Sequence, residues 1–415
     1  MKILIYEDNK YSNLYPLSLL RGVYDIRIGA NTIKERIENI TDKKFEIHLH
    51  CRKILNNYLH EVHKNKVNEF DKDDYLLLNG RVIFSKNSMK YLISEKEKNS
   101  FYIFNNTVVA AFVSKHRMSK LSEFIGCSED LSVSDELFSK LQLKQIIVKE
   151  RFEAFIVNYP WDILKYILHG GLNEDFNYLS FKDSKFLKLK SADNFINHKK
   201  ILISKSAKMN SNIVLDASDG SIVINDNVTI EPFCFIKGPV FIGKNTLVKS
   251  GTKIYGPAVI GEYSKVAGEI AESVFHSYVN KQHDGFIGHS YICPFVNLGA
   301  DTVTSDLKNN YSGIKMNVNG NDTDTGMQFL GSILGDHTKT SINTMLNTGT
   351  VAGIFANIFG GGFPEKSIDS FAWYDSAKTP VKYNFDKAIA TAKIVMERRG
   401  VILSKNYEDL VKTYY

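Results

Sequence analysis

Three histidines, His276, His283 and His289, fall within a short stretch of this chain. Imidazole titrates near neutrality and ligates metals, so such a group can supply a general base or a metal site. By residue type alone a loop histidine is more often structural or solvated, and no evident set of supporting partners surrounds these three. Cys51, Cys127, Cys234 and Cys293 are too scattered for paired metal-ligand spacing and too few for a disulfide framework, which fits a reducing compartment.

The elements that must hold these residues show in a six-residue period. Aliphatic residues recur at Ile224, Ile230, Ile236, Ile242, Val248, Ile254, Ile260 and Val266, and Gly238-Pro239-Val240 returns as Gly256-Pro257-Ala258. Such a period predicts a parallel β-helix of stacked coils, each burying its aliphatic corners on the next. Ile203, Met209 and Leu215 place its start near residue 200, before a change of register. After Val266 the phase slips, then resumes as Phe286, Ile292 and Leu298. A polar excursion from Ser305 to Gln328 follows, and Leu334, Thr340, Leu346, Ala352 and Ile358 restore the count. Slips mark loops, and loops on a rigid scaffold commonly carry chemistry. Beyond Gly360-Gly361-Gly362, Phe385, Ile389, Ala392 and Met396 at helical spacing predict a docked helix over about 386–399, with Asn384 as N-cap and Gly400 as stop.

Residues 1–195 alternate strand-like runs (KILIY, FEIHLH, DYLLLNGRVIF) with charged helix-compatible stretches, as a layered α/β domain does. The organisation expected is therefore 1–195, a β-helix over 200–364, and an extension over 365–415, with the lysine-rich run at 181–200 as a solvated connection. The 415 residues are 43% hydrophobic and 24% charged, with a net charge of +6 spread among interleaved acids and bases. This balance suits anionic small molecules and does not argue for nucleic acid. No stretch approaches a membrane span, and the brief apolar run before Glu7 and Asp8 reads as a first strand rather than a signal peptide, so a cytoplasmic location is expected.

The run VNKQHDGFIGHSYICPFVNLGADTVTSDL, with LGSILGDHTKTSINTMLNTGTVAG after the excursion, resembles the acetyltransferase half of the bifunctional N-acetylglucosamine-1-phosphate uridyltransferase/glucosamine-1-phosphate acetyltransferases. LYPLSLLRGVYDIRIGANTIKERI and VNYPWDIL resemble, in degenerate form, the start and end of that group's nucleotidyltransferase domain. The resemblance implies a Rossmann-like α/β nucleotidyltransferase domain joined to a left-handed parallel β-helix, and a homotrimer with sites between prisms. Its reaction would be acetyl-CoA-dependent N-acetylation of an amino-sugar 1-phosphate, with possible nucleotidyl transfer to a sugar 1-phosphate. The pathway would be UDP-N-acetylglucosamine-type nucleotide-sugar synthesis for the cell envelope. The alternatives are an enzyme with only one of the two activities, and a noncatalytic trimeric scaffold.

On this resemblance His283 takes the catalytic position, removing a proton as the sugar amine attacks the thioester. Asn297 matches a substrate-contacting asparagine, and Lys281, Lys308 and Lys315 are candidates for substrate phosphates. Phe286 stands where the family has a tyrosine and Asp306 where it has an asparagine, which changes charge and donor capacity in the substrate site. In the amino-terminal domain the family's glycine-rich phosphate loop is absent, leaving Arg21 and Arg27 as cations for a nucleoside triphosphate, with Asp25 between them. Asn79 and Arg81 follow the strand that usually presents a Mg²⁺-binding aspartate. Asp162 is a weak metal candidate that can equally cap the following helix. The three histidines also admit a trimeric zinc hydro-lyase, related to carbonic anhydrase, as a minor alternative.

Overall fold

The computed structural model describes residues 1–95, 97–126, 130, 132–148, 152–177, 186–187, 189, 193–375 and 378–415. Cys127 and nearly half of the lysine-rich connection lie outside them. Strands β1 (Lys2–Tyr6), β2 (Ile47–His50), β3 (Tyr75–Asn79), β4 (Val82–Phe84), β5 (Ser100–Phe104), β6 (Thr107–Val113), β7 (Lys144–Ile147) and β8 (Ala154–Ile156) build the amino-terminal domain. Its main sheet has the order β2-β1-β3-β6-β5-β7, with β1 parallel to β2 and β3, and β6 antiparallel to β3 and β5. Successive residues of β1 and β3 feed opposite faces: Ile3, Ile5, Leu76 and Leu78 enter one core, Leu4, Tyr6, Tyr75 and Leu77 another. That alternation explains why these strands read as unbroken apolar runs.

From Phe195 the chain winds a parallel β-solenoid. One face is a nine-stranded ladder running from Ile201–Ile203 to Ser367–Ile368. The eight periodic residues from Ile224 to Val266 are all fully buried, and paired positions such as Ile242 and Ile260 lie eighteen residues apart. The later phase needs one correction. Ile287, paired with Ile270, is the buried residue, and Phe286 stands on the outer side of the same strand. A shortened coil causes this: Val266 pairs with Lys281 only fifteen residues on, and side chains alternate sides along a strand. The excursion expected at Ser305–Gln328 contains the hairpin Lys315–Val318/Asn321–Asp324. Ser367–Ile368 and Ala372–Asp375 still pair with earlier coils, so the ladder runs past residue 364.

One solenoid corner carries a column of stacked rings, Tyr263, Tyr278, Phe295, His337, Phe355 and Phe371, with centroids 5.0, 4.9, 5.0, 4.4 and 5.1 Å apart. Each sits at a φ between 57° and 61°. Left-handed backbone costs about 1–2 kcal/mol per residue, while each ring pair returns about 0.5–1.5 kcal/mol beyond its burial. Burial of the large rings decides the balance in favour of the column.

The helix Phe385–Glu397, N-capped by Asn384, buries Ala388, Ala392 and Met396, and a second helix, Lys405–Lys412, buries Tyr407, Leu410 and Val411. The second helix joins the two halves: Tyr407 donates to or accepts from His337 Nε2 at 3.0 Å and packs against Tyr58 at a centroid distance of 5.1 Å. Charged contacts complete the docking. Arg21 pairs with Asp336, both nearly fully buried, and Arg27 with Glu262 at 2.6 Å. Removing one member of a buried pair leaves an uncompensated charge, costing about 3–5 kcal/mol. Arg21→Met is therefore expected to lower the thermal unfolding midpoint sharply, and Asp336→Leu added to it to restore most of the loss.

Lys281 occupies a corner that Val266 fills one coil earlier, and is 1% exposed. Its ammonium donates to the carbonyls of Ala267 at 2.9 Å and His283 at 2.7 Å. Burial lowers its pKa to about 8 from 10.5. Below about pH 8 both folded and unfolded chains carry the proton and the full burial penalty applies. Between 8 and 10.5 the unfolded chain holds more protons, so stability rises with pH. Lys281→Met is expected to stabilise the fold by on the order of 3 kcal/mol at pH 7, with the difference vanishing above pH 10.5 in denaturation curves.

Candidate active site

The loop that carries His283 leaves the shortened coil, and its backbone is held from several sides. Lys281 binds the His283 carbonyl, Glu269 N–H donates to Gly285 O at 3.0 Å, and Asp301 N–H donates to Asp284 O at 3.0 Å. Gly285 has φ +120°, and a Cβ there would lie 2.3 Å from Thr302 O, so only glycine lets the loop approach the next coil. His283 itself is exposed. A fixed backbone with a free imidazole is the arrangement a positioned base requires.

Beside this loop runs a polar row. Lys265 pairs with Asn280, which bridges to Asn297, which bridges to Lys339. Asn280 Oδ1 accepts from Gln282 Nε2 at 2.9 Å and from Arg399 at 3.0 Å, and Asn280 Nδ2 donates to Asn297 Oδ1 at 2.6 Å. Thus Asn297 is linked through one amide to the residue preceding His283. Lys265 is shifted below its ordinary pKa by burial and then by Arg399, Arg398 and Lys249; Arg399 is lowered by burial and by Arg398. None of Lys265, Arg399, Arg398 and Lys249 forms an ion pair with a carboxylate among the described residues, and their mutual repulsion contributes to the lowered Lys265 pKa. Burial also lowers Lys339 to about 8. Lys249, Lys265, Lys339 and the Arg398-Arg399 pair were not singled out in the sequence. Their signal was present only as outward positions of the repeat and as two arginines at a helix end.

The remaining candidates lie elsewhere. Phe286 and Asp306 meet at another corner, where Asp306 Oδ2 is 2.9 Å from His289 Nδ1 and Glu272 Oε2 is 3.4 Å from His289 Nε2. Burial raises the Glu272 pKa, opposed by His289 and reinforced by Asp306. Lys308 and Lys315 flank a cavity of about 420 Å³ at the root of the excursion, with Lys366; Lys308 donates to Gly313 O at 2.7 Å. His276 turns into the domain interface, its Nε2 3.1 Å from Asp25 O. The three histidines therefore do not converge as a zinc site. Among the described residues, the donors grouped at metal-ligand spacing are Glu46, His48 and Asp71, and Lys2 already bonds both carboxylates.

In the amino-terminal domain, the cations proposed for phosphate are committed to protein carboxylates. Arg21 and Arg27 dock on the solenoid and Arg81 pairs with Asp8; Arg52, which was not among the candidates, pairs with Glu7 at 2.8 Å. Asn79 Nδ2 also donates to Asp8 Oδ2 at 3.0 Å. Burial opposes the Asp8 charge, yet Arg81 and Asn79 hold its carboxyl below the usual range. Both Asp8 oxygens being taken, and Asp8, Asn79 and Arg81 being at most 2% exposed, this arrangement does not fit a Mg²⁺ ion. Asp162 accepts from the backbone N–H groups of Asn158 and Tyr159 at 2.9 Å each, closing the start of the helix Pro160–Leu168. Open space among the described residues of the domain includes a cavity of about 810 Å³ at the β5–β7 edge, lined by Phe101, Asn105, Asn106 and Asp135 among others. No sequence signal pointed to it.

Comparison with known proteins supports this two-part reading. Residues 3–183 match the family described as sugar nucleotidyl transferase. A bifunctional sugar-1-phosphate nucleotidylyltransferase/acetyltransferase from Sulfurisphaera tokodaii is 29% identical over 177 residues, 38% of this chain and 42% of that protein. The bifunctional protein GlmU of Methanococcus vannielii is 23% identical over 323 residues, 72% of this chain and 74% of its own. A mutant of AntD, an N-acyltransferase from Bacillus cereus crystallised with dTDP and coenzyme A, aligns over 48% of this chain and 88% of its own at 16% identity and a TM-score of 0.20. That overlap is too poor to carry an argument. Residues 3–183 thus resemble the sugar nucleotidyl transferase family, and a β-solenoid follows that match in the chain.

Proposed function

We propose that the solenoid catalyses acyl transfer from acetyl-CoA to the amine of an amino-sugar 1-phosphate, with His283 as the base. The observation that carries this reading is an exposed, backbone-anchored imidazole whose neighbour Gln282 shares Asn280 with Arg399, in a group of cations that form no ion pair with a carboxylate among the described residues. Like charges crowded in this way repel unless an anion lies among them, and a sugar phosphate supplies that anion beside the base. The amine nitrogen attacks the thioester carbonyl while His283 takes the amine proton. The tetrahedral oxyanion then collapses, forming the amide and releasing coenzyme A, whose thiolate is reprotonated. Asn297 and Asn280 orient the acceptor hydroxyls, and Lys265 and Arg399 hold its phosphate. The assembly is a homotrimer, and the setting is cytoplasmic nucleotide-sugar synthesis. Among the described residues no helix is long and apolar enough to cross a membrane.

Nucleotidyl transfer by the amino-terminal domain would require Asp8 to exchange Arg81 for a cation. Mg²⁺-dependent pyrophosphate release from a nucleoside triphosphate and a sugar 1-phosphate reads that exchange directly.

With acetyl-CoA and glucosamine 1-phosphate, thiol release is expected from the unchanged protein, falling about 10²–10⁴-fold in His283→Ala. Sedimentation should show both as the same oligomer. Full activity in the variant would remove His283 from the mechanism. Lys265→Ser with Arg399→Ser is expected to raise KM for the sugar phosphate by about tenfold or more, equivalent to 1.4 kcal/mol of lost binding, without a comparable fall in kcat. An unchanged KM would place the phosphate elsewhere.

A further inference from the structure

Where the amino-terminal domain, the solenoid and the carboxy-terminal helices meet, they enclose a cavity of about 280 Å³. None of its lining residues belongs to the His283 loop. Its walls are mostly apolar and aromatic: Tyr58 and Leu59 from one side, Phe295 from the ring column, Met396 and Tyr407 from the terminal helices. Two carboxylates, Asp25 and Asp336, also line it.

Asp336 is the informative group. It is 2% exposed, and Arg21 takes its Oδ2, but its Oδ1 has no hydrogen-bond partner among the described residues. A buried carboxylate oxygen left without a donor costs about 1–3 kcal/mol or more, so the site is short of one N–H or O–H. The lining charges decide its character. Arg21 balances one carboxylate, His276 is held neutral by burial and by the nearby Arg21 and Arg27, and His63 Nε2 lies 2.9 Å from Asp25 Oδ2. The Asp336 oxygen that Arg21 leaves free thus stands among aromatic side chains. Aromatic faces and a carboxylate both favour an organic cation, at about 0.5–2 kcal/mol per cation–π contact.

We propose that this interdomain cavity binds a small organic ammonium, whose N–H group donates to Asp336 Oδ1 while its apolar body packs among Tyr58, Phe295, Met396 and Tyr407. The volume excludes a nucleotide or coenzyme A and admits a molecule of about ten heavy atoms. Because the walls come from three parts of the chain, the bound cation also ties those parts together, and the thermal unfolding midpoint rises with its concentration.

Benzylammonium, benzyl alcohol and benzoate share a shape and differ in charge, so calorimetric titration of the full-length protein with each tests the proposal. Benzylammonium is expected to bind with a dissociation constant on the order of millimolar or below, at least tenfold tighter than benzyl alcohol, with no heat from benzoate. Val62 is 50% exposed on the cavity wall, so Val62→Trp sets an indole at the mouth without touching the ion pairs. That variant is expected to lose binding at an unchanged unfolding midpoint, whereas Val62→Ala keeps it. Equal affinity for benzyl alcohol would show that the carboxylate selects nothing, and would overturn the proposal. So would undiminished benzylammonium binding in a folded Val62→Trp variant, or no benzylammonium binding to the unchanged protein.

Discussion

Coil-on-coil register is the constraint on which the rest of this molecule depends. In a parallel solenoid every coil must present an apolar residue over the one below, because side chains at ladder-paired positions share one narrow interior. From Ile224 to Val266 the chain obeys without exception. The same registration repeats at the corners, where left-handed backbone places one ring over the next from Tyr263 to Phe371. Departures from the rule are therefore costly and local. The fifteen-residue coil that brings Lys281 into a valine's place is one, and the excursion between the strands Val303–Thr304 and Ser332–Leu334 is another. The first departure puts an ammonium where it can hold the His283 carbonyl. The stability lost by burying that charge is the counterpart of a loop fixed in place.

The amino-terminal domain is held by a different kind of force. Its docking surface uses guanidinium–carboxylate pairs, Arg21 with Asp336 and Arg27 with Glu262, together with Tyr291 donating to Arg27 O at 3.0 Å. Such pairs contribute orientation more than net stability, since desolvation offsets much of their attraction. Parallel logic operates inside the domain, where Glu7 with Arg52 and Asp8 with Arg81 fill the ends of β1 and β3. Burial raises the Glu7 carboxyl above its usual range despite Arg52, whereas Asp8 falls below it because Asn79 and Lys10 N–H add to Arg81. One strand end thus holds two carboxylates whose proton affinities are displaced in opposite directions, and both are already matched to cations.

The solenoid was legible because its period is a direct consequence of ladder pairing: six residues separate successive inward corners whatever the chemistry outside. The helix after Asn384 was legible for a similar reason, with the cap accepting from Lys387 N at 3.0 Å. Phe286 was misplaced because a shortened coil shifts parity, and a one-residue slip exchanges inside for outside. Arg21 and Arg27 read as free cations because their partners, Asp336 and Glu262, are hundreds of residues away in sequence. The same distance hid the cluster at Lys265, which forms only when the terminal helix returns along the prism to bring Arg399 beside Asn280. Local patterns report on periodic structure; sites assembled by chain return leave no comparable trace.

That returning helix also links the two sites. Met396 is 3% exposed and lines the interdomain cavity, while Arg399, three residues on, bonds Asn280 at 3.0 Å. Just beyond Arg399, Val401 N–H returns to Met396 O at 3.0 Å, and Gly400 at φ +70° allows the reversal. A short, hydrogen-bonded helix end has few ways to move one of these side chains without the other. Seating Met396 against the cavity contents therefore fixes where the Arg399 guanidinium stands relative to Asn280, Gln282 and the His283 loop. In the proposed acyl transfer, phosphate recognition beside His283 would then be set partly by packing at a cavity that the phosphate does not enter.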